Sequence, residues 1–159
     1  MLNDDIREYT AQLKRGDIQR AYRGIMSFMT DLKASFENKY SDCSVSAVYF
    51  GYMDMTYFAF APPALKEKRL KIAIVYLHEE GRFEVWLAAG NRKIQADYIE
   101  MLRHKDIGDY TLSQVAPGVD AILYTTVAEQ PDFDHPEQLK QHITEMALQF
   151  AGNVAGMLA

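Results

Sequence analysis

The stretch "LKIAIVYLHEEGRFEVWLAA", residues 70–89, decides the fold. Two runs rich in β-branched and aromatic residues flank Glu79, Glu80 and Gly81, which reads as a strand hairpin. A three-residue loop with Gly81 in the left-handed region places His78 opposite Arg82, Tyr76 opposite Glu84 and Ile74 opposite Trp86. Side chains alternate across a strand. On that register Ala73, Val75, Leu77, Phe83, Val85 and Leu87 make a wholly apolar face that requires a layer of helix. Ile74, Tyr76, His78, Arg82, Glu84 and Trp86 make the other face, apolar at one end and polar near the turn.

Upstream of the hairpin, Asn3 is placed to cap a short helix with Ile6, Tyr9 and Leu13 on one face and Gly16 closing it. Asp17 is placed to cap a second helix, whose apolar positions Ile18, Tyr22, Ile25, Met29, Leu32 and Phe36 step by three or four residues. "VSAVYFGYMDMTYFAF", residues 45–60, predicts one long strand or two short ones, with Gly51 at a bulge or close approach. "PPALKEK" has room for one helical turn.

Downstream, Asn91 caps a helix carrying Ile94, Tyr98, Met101 and Leu102, and "AILYTTVA" is a strand. Asp134 precedes a last helix with Pro136 in its first turn. The order predicts one α+β domain over residues 1–159. Its sheet is mainly antiparallel, of four or five strands, packed by helices including two at the N-terminus and one at the C-terminus. A parallel crossover is expected around the helix over 92–105.

The bulk composition narrows the function classes. A chain of 159 residues suits one domain. Its net charge of −5 argues against a nucleic-acid binder, which needs a basic field or stripe. "MLNDDIREYT" lacks a signal-type apolar segment, and no window approaches the roughly 20 apolar residues that cross a bilayer. The lone Cys43 has no internal partner. The expected compartment is the cytoplasm. No metal and no cofactor are expected. His78-Glu79 lacks the second histidine of a zinc-protease motif, and His104, His135 and His142 show no ligand spacing. Neither a phosphate-binding glycine loop nor a nucleophile elbow occurs.

Two features remain as candidate sites. The first is Asn91, Arg92 and Lys93 at a helix start, where free N–H groups and the dipole favour anions. Carboxylates are the preferred side chains there, so two cations break a local rule, with Gly90 leaving access to the backbone. An alternative use for Lys93 is an ion pair with Asp97, four residues on. The second is Tyr76, His78, Arg82, Glu84 and Trp86, a group of acid, base, cation and stacking surface on one hairpin face. Together they predict a binding surface for a small anion or a protein partner. The many tyrosine, phenylalanine and methionine residues also lead us to expect a weak homodimer.

The segments "KRGDIQRAY", "GYMDMTYFAF" and "LKIAIVYLHEEGRFEVWLAAGNRKIQADY" resemble those of a family of small, uncharacterised bacterial proteins. That resemblance covers most of the chain and implies no function. The order helix, three strands, helix, strand is also similar to the core of PD-(D/E)XK nucleases, whose third strand carries an acid-x-Lys triplet. Here the triplet is Glu84-Val85-Trp86, with tryptophan in place of lysine. The second resemblance implies a metal-dependent hydrolase in which Glu84 and Asp54 would be the catalytic carboxylates.

Overall fold

The computed structural model covers residues 1–159. Two helices come first, α1 (Leu2–Arg15) and α2 (Asp17–Lys39), joined at Gly16, whose φ of 83° lets the chain turn. Neither Asn3 nor Asp17 is a cap: α1 begins at Leu2 and Gly16 itself precedes α2. Strands β1 (Ser44–Val45) and β2 (Met55–Ala61) follow, then the single turn α3 (Pro63–Lys66). The hairpin consists of β3 (Leu70–Leu77) and β4 (Arg82–Ala89). The remaining elements are α4 (Arg92–Leu102), β5 (Thr111–Leu112), β6 (Ala121–Ala128) and α5 (Pro136–Leu158).

The sheet has the order β1-β2-β3-β4-β6-β5. It numbers six strands because two are dipeptides at the edges. Every pairing is antiparallel. The expected parallel crossover around α4 is therefore absent. After α4 the chain forms the short β5 outside β6 and returns along β6, antiparallel to β4.

The hairpin is real, but its register differs by one residue from the sequence reading. Leu77 faces Arg82, Tyr76 faces Phe83, Ile74 faces Val85 and Ala73 faces Trp86. The loop is thus four residues, 78–81, closed by the Gly81 N–H donating to the Leu77 carbonyl at 2.8 Å. A one-residue slip sends every side chain of the slipped strand to the other face. Ile72, Ile74 and Tyr76 share a face with Phe83, Val85 and Leu87, buried with α2, α4 and α5 in the main core. Ala73, Val75 and Leu77 share the opposite face with Arg82, Glu84 and Trp86, where a small apolar cluster also holds Met55, Tyr57 and Ala59. The sequence leaves this ambiguous because both faces of β3 are apolar.

The helices cover one side only. Phe28, Met29, Leu32 and Phe36 of α2 are buried, as are Leu139, Ile143, Phe150 and Val154 of α5. No helix is long and apolar enough to cross a membrane.

Candidate functional site

The sheet face without helices carries a groove of about 480 Å³. Its floor and walls come from β2, β3 and β4: Met55, Tyr57, Ala73, Trp86 and Ala88. Short alanines beside a tryptophan leave the hollow. Register fixes the neighbours: Ala73 lies opposite Trp86, and Lys71 lies opposite Ala88. Lys71 and Trp86 are therefore diagonal neighbours, with Cβ atoms roughly 7 Å apart. Lys71 is exposed and has no ion-pair partner.

The start of α4 closes one end of the groove. Asn91 is extended and its Oδ1 accepts the Ile94 N–H at 2.9 Å, a side-chain cap. Two cations are tolerated in this first turn because each has an acceptor. The Arg92 guanidinium donates to the Val119 carbonyl, to Gln95 Oε1 at 3.0 Å and to Asp120 Oδ1 at 3.0 Å. Lys93 pairs with Asp97 at 2.9 Å and lies outside the groove lining. Buried Gln95 fixes the end wall, its Nε2 donating to the Val119 and Ala121 carbonyls at 2.8 and 3.2 Å.

Glu84 is only 4% exposed, and both its oxygens are engaged. Oε1 accepts Trp86 Nε1–H at 2.9 Å, and Oε2 accepts from Arg82 at 2.9 Å. The carboxylate holds the indole in place. Arg82 and Glu84 line a second cavity of about 240 Å³ that shares Trp86 and Asp120 with the groove. Buried Ser113, whose hydroxyl has no hydrogen-bond partner, lines it too.

The sequence-derived surface is thus divided. Trp86, Asn91 and Arg92 meet at the groove. Arg82 and Glu84 stand behind Trp86. Tyr76 and His78 leave the group, which corrects the expectation of one shared hairpin face. Tyr76 is buried on the helix side, and burial raises its phenol pKa. His78 lies in the turn and stacks on Tyr22 of α2 at 5.9 Å between ring centroids. Thr56 Oγ1 donates to the Phe50 carbonyl at 2.7 Å, so His78 Nε2, 2.8 Å away, carries the proton in their contact. Burial pushes the His78 pKa down, partly opposed by Asp54.

Asp54 is exposed in the loop before β2, where N–H groups of Tyr52 and Met55 lower its pKa. The His78 N–H donates to its carbonyl, which puts Asp54 three residues along and two strands across from Glu84. Strand spacing makes that on the order of 14 Å, too far to share one metal ion. No three His, Cys, Asp or Glu side chains come together as a ligand set.

Tyr49, Tyr57, Lys71 and Asp120 escaped the sequence reading. Tyr49 and Tyr57 pair across a single β-bridge, with ring centroids 5.1 Å apart. The loop that brings Tyr49 there depends on Gly51, whose φ is 78° and whose Cβ, if present, would lie 2.0 Å from the Met55 carbonyl oxygen. Gly81→Ala supplies a control, since φ is 66° there and nothing lies within 4 Å. We predict that Gly81→Ala costs about 1 kcal/mol from backbone strain alone. Gly51→Ala is predicted to cost at least about 2 kcal/mol, because a backbone oxygen must also move. Thermal denaturation of both variants checks this; equal midpoints would show that the loop is not held as described.

A family model described as "Domain of unknown function (DUF7000)" matches residues 2–158, and the chain belongs to that family. No curated protein and no solved structure matches the chain significantly.

Proposed function

We propose that the chain is a single cytoplasmic α+β domain that binds a small amphipathic anion in the groove on its open sheet face. The observation that carries this reading is the unpaired Lys71 beside Trp86 in a hollow of about 480 Å³. Small-molecule sites have that size and that mixture of apolar wall and a few directed polar groups. An aromatic or flat apolar body fits against Trp86, Tyr57 and the alanines. Its acidic group then faces Lys71 and the first N–H groups of α4, which the Asn91 cap leaves free apart from Ile94. Lys71 and Arg92 against Asp120 give the groove two cations to one carboxylate, a local excess on a chain of net charge −5.

Calorimetry with benzoate, phenyl phosphate, benzyl alcohol and inorganic phosphate tests the reading. The aromatic anions should bind more tightly than either the neutral alcohol or phosphate alone, and less tightly as salt rises. Lys71→Glu should weaken them by at least about tenfold. Lys93→Glu should not, because Lys93 pairs with Asp97 outside the groove. No binding at millimolar concentration, or equal binding by Lys71→Glu, would remove this function.

A protein partner is the second reading, favoured by Phe50, Tyr52 and Met53, which stand exposed beside Tyr49 on the loop. That reading gains if Tyr52→Ser and Met53→Ser alter binding of a partner while small-anion binding never occurs. The hydrolase reading on Asp54 and Glu84 lacks support in their separation and in the engagement of both Glu84 oxygens.

A further inference from the structure

The helix α1 is built to pack on something, and its own chain offers it nothing. Leu2, Ile6, Tyr9 and Leu13 are separated by four, three and four positions, the spacing of a coiled-coil seam. Yet no residue of α1 is buried, and Leu2, Ile6 and Tyr9 are 71%, 49% and 57% exposed. The helix packs chiefly on α2, and only Gln12 and Leu13, near the Gly16 joint, are even half-buried. At 14 residues it has the length at which an isolated helix is only marginally stable in water. Covering the seam would both hide apolar surface and hold the helix formed.

Charge identifies the cover. The first turn of α1 carries Asp4 and Asp5, and the last turn carries Lys14 and Arg15. Asp5 and Lys14 have no ion-pair partner within the chain. A second α1 laid antiparallel sets Leu2 against Leu13 and Ile6 against Tyr9. It also brings the acidic turn of each copy within one turn of the basic turn of the other, and opposes the two helix dipoles. A parallel pair would place like charges together. We infer that the chain forms a two-fold homodimer through an antiparallel α1–α1 pair. The interface is self-complementary, as two-fold symmetry requires. It is also small, so the dimer should be a micromolar, concentration-dependent one rather than an obligate one.

Sedimentation velocity on the full chain, from low-micromolar to sub-millimolar concentration, should show a monomer–dimer equilibrium. Replacing Ile6 and Tyr9 together by Asp should leave a monomer throughout, with a cooperative melt preserved because neither side chain is buried. Two charge-reversed chains supply the orientation test and do not depend on that variant. D4K/D5K alone and K14E/R15E alone should each dimerise at least about tenfold more weakly. Mixed, they should form a heterodimer tighter than either homodimer, because each basic turn then meets an acidic one. A monomer at every concentration, a dimer unaffected by the Ile6 and Tyr9 changes, or a mixture no tighter than its parts would each overturn the inference.

Discussion

Replacing Val85 by Asp should abolish cooperative folding. Val85 is wholly buried at the centre of the sheet, between Ile74 of β3 and Thr125 of β6, on the face covered by helices. An aspartate there would be charged without a partner, or protonated without an acceptor. Either state costs on the order of 4 kcal/mol or more, a large part of the 5–15 kcal/mol that typically holds a domain together. Where a folded fraction survives, its midpoint should fall by roughly 10 °C or more, given about 2–4 °C per kcal/mol at this size. Lys93→Ala, an exposed change, should stay within about 0.5 kcal/mol of the parent and serves as control. A Val85→Asp protein that melts at the parental temperature would mean that the helix-covered face has been misassigned.

Removing the Glu84 carboxylate should have the next largest effect. Glu84→Ala leaves the Trp86 Nε1–H without an acceptor and Arg82 without its ion-pair partner at 2.8 Å. Leaving a buried donor unsatisfied costs about 1–3 kcal/mol. The Arg82 contribution must be discounted, because that side chain is 37% exposed and water can replace part of the pair. Together a loss of about 2–4 kcal/mol is expected, with Glu84→Gln milder because its amide oxygen still accepts from the indole. Thermal melting of the three proteins checks the order. A catalytic carboxylate kept at a stability cost would behave oppositely, since its removal relieves strain. A Glu84→Ala protein more stable than the parent would therefore revive the hydrolase reading.

How much of this was legible in the sequence depends on which residues carry periodic information. The apolar steps of α2 and α5 and the alternation of β4 are strong signals, and each places its element and its buried face correctly. In β3 the signal fails, because Leu70, Ile72, Ala73, Ile74 and Val75 are all buried and a strand apolar on both faces has no readable parity. The turn then had to decide, and a three-residue and a four-residue loop fit "HEEG" equally well. That single ambiguity moved Tyr76 and His78 to the wrong side of the sheet.

At the candidate site, Asn91 as a cap and the Lys93–Asp97 pair follow from local spacing. The groove itself does not, because Lys71, Tyr49, Tyr57 and Asp120 reach it from four separate segments. Only the strand order joins them. Arg92 shows the same limit: its compensating acceptors, Val119 and Asp120, lie more than a helix away in sequence. Two cations at a helix start were a local anomaly with a tertiary solution.

The central claim is that the groove receives an amphipathic anion against Trp86, and Trp86 is the only tryptophan in the chain. Its emission, excited selectively, therefore reports on the groove and nowhere else. Titration with phenyl phosphate should give a saturable change in that emission, at the same midpoint as calorimetry, and Lys71→Glu should shift the curve to at least about tenfold higher concentration. An unsaturable response, or calorimetric binding that leaves Trp86 emission unchanged, would contradict the account.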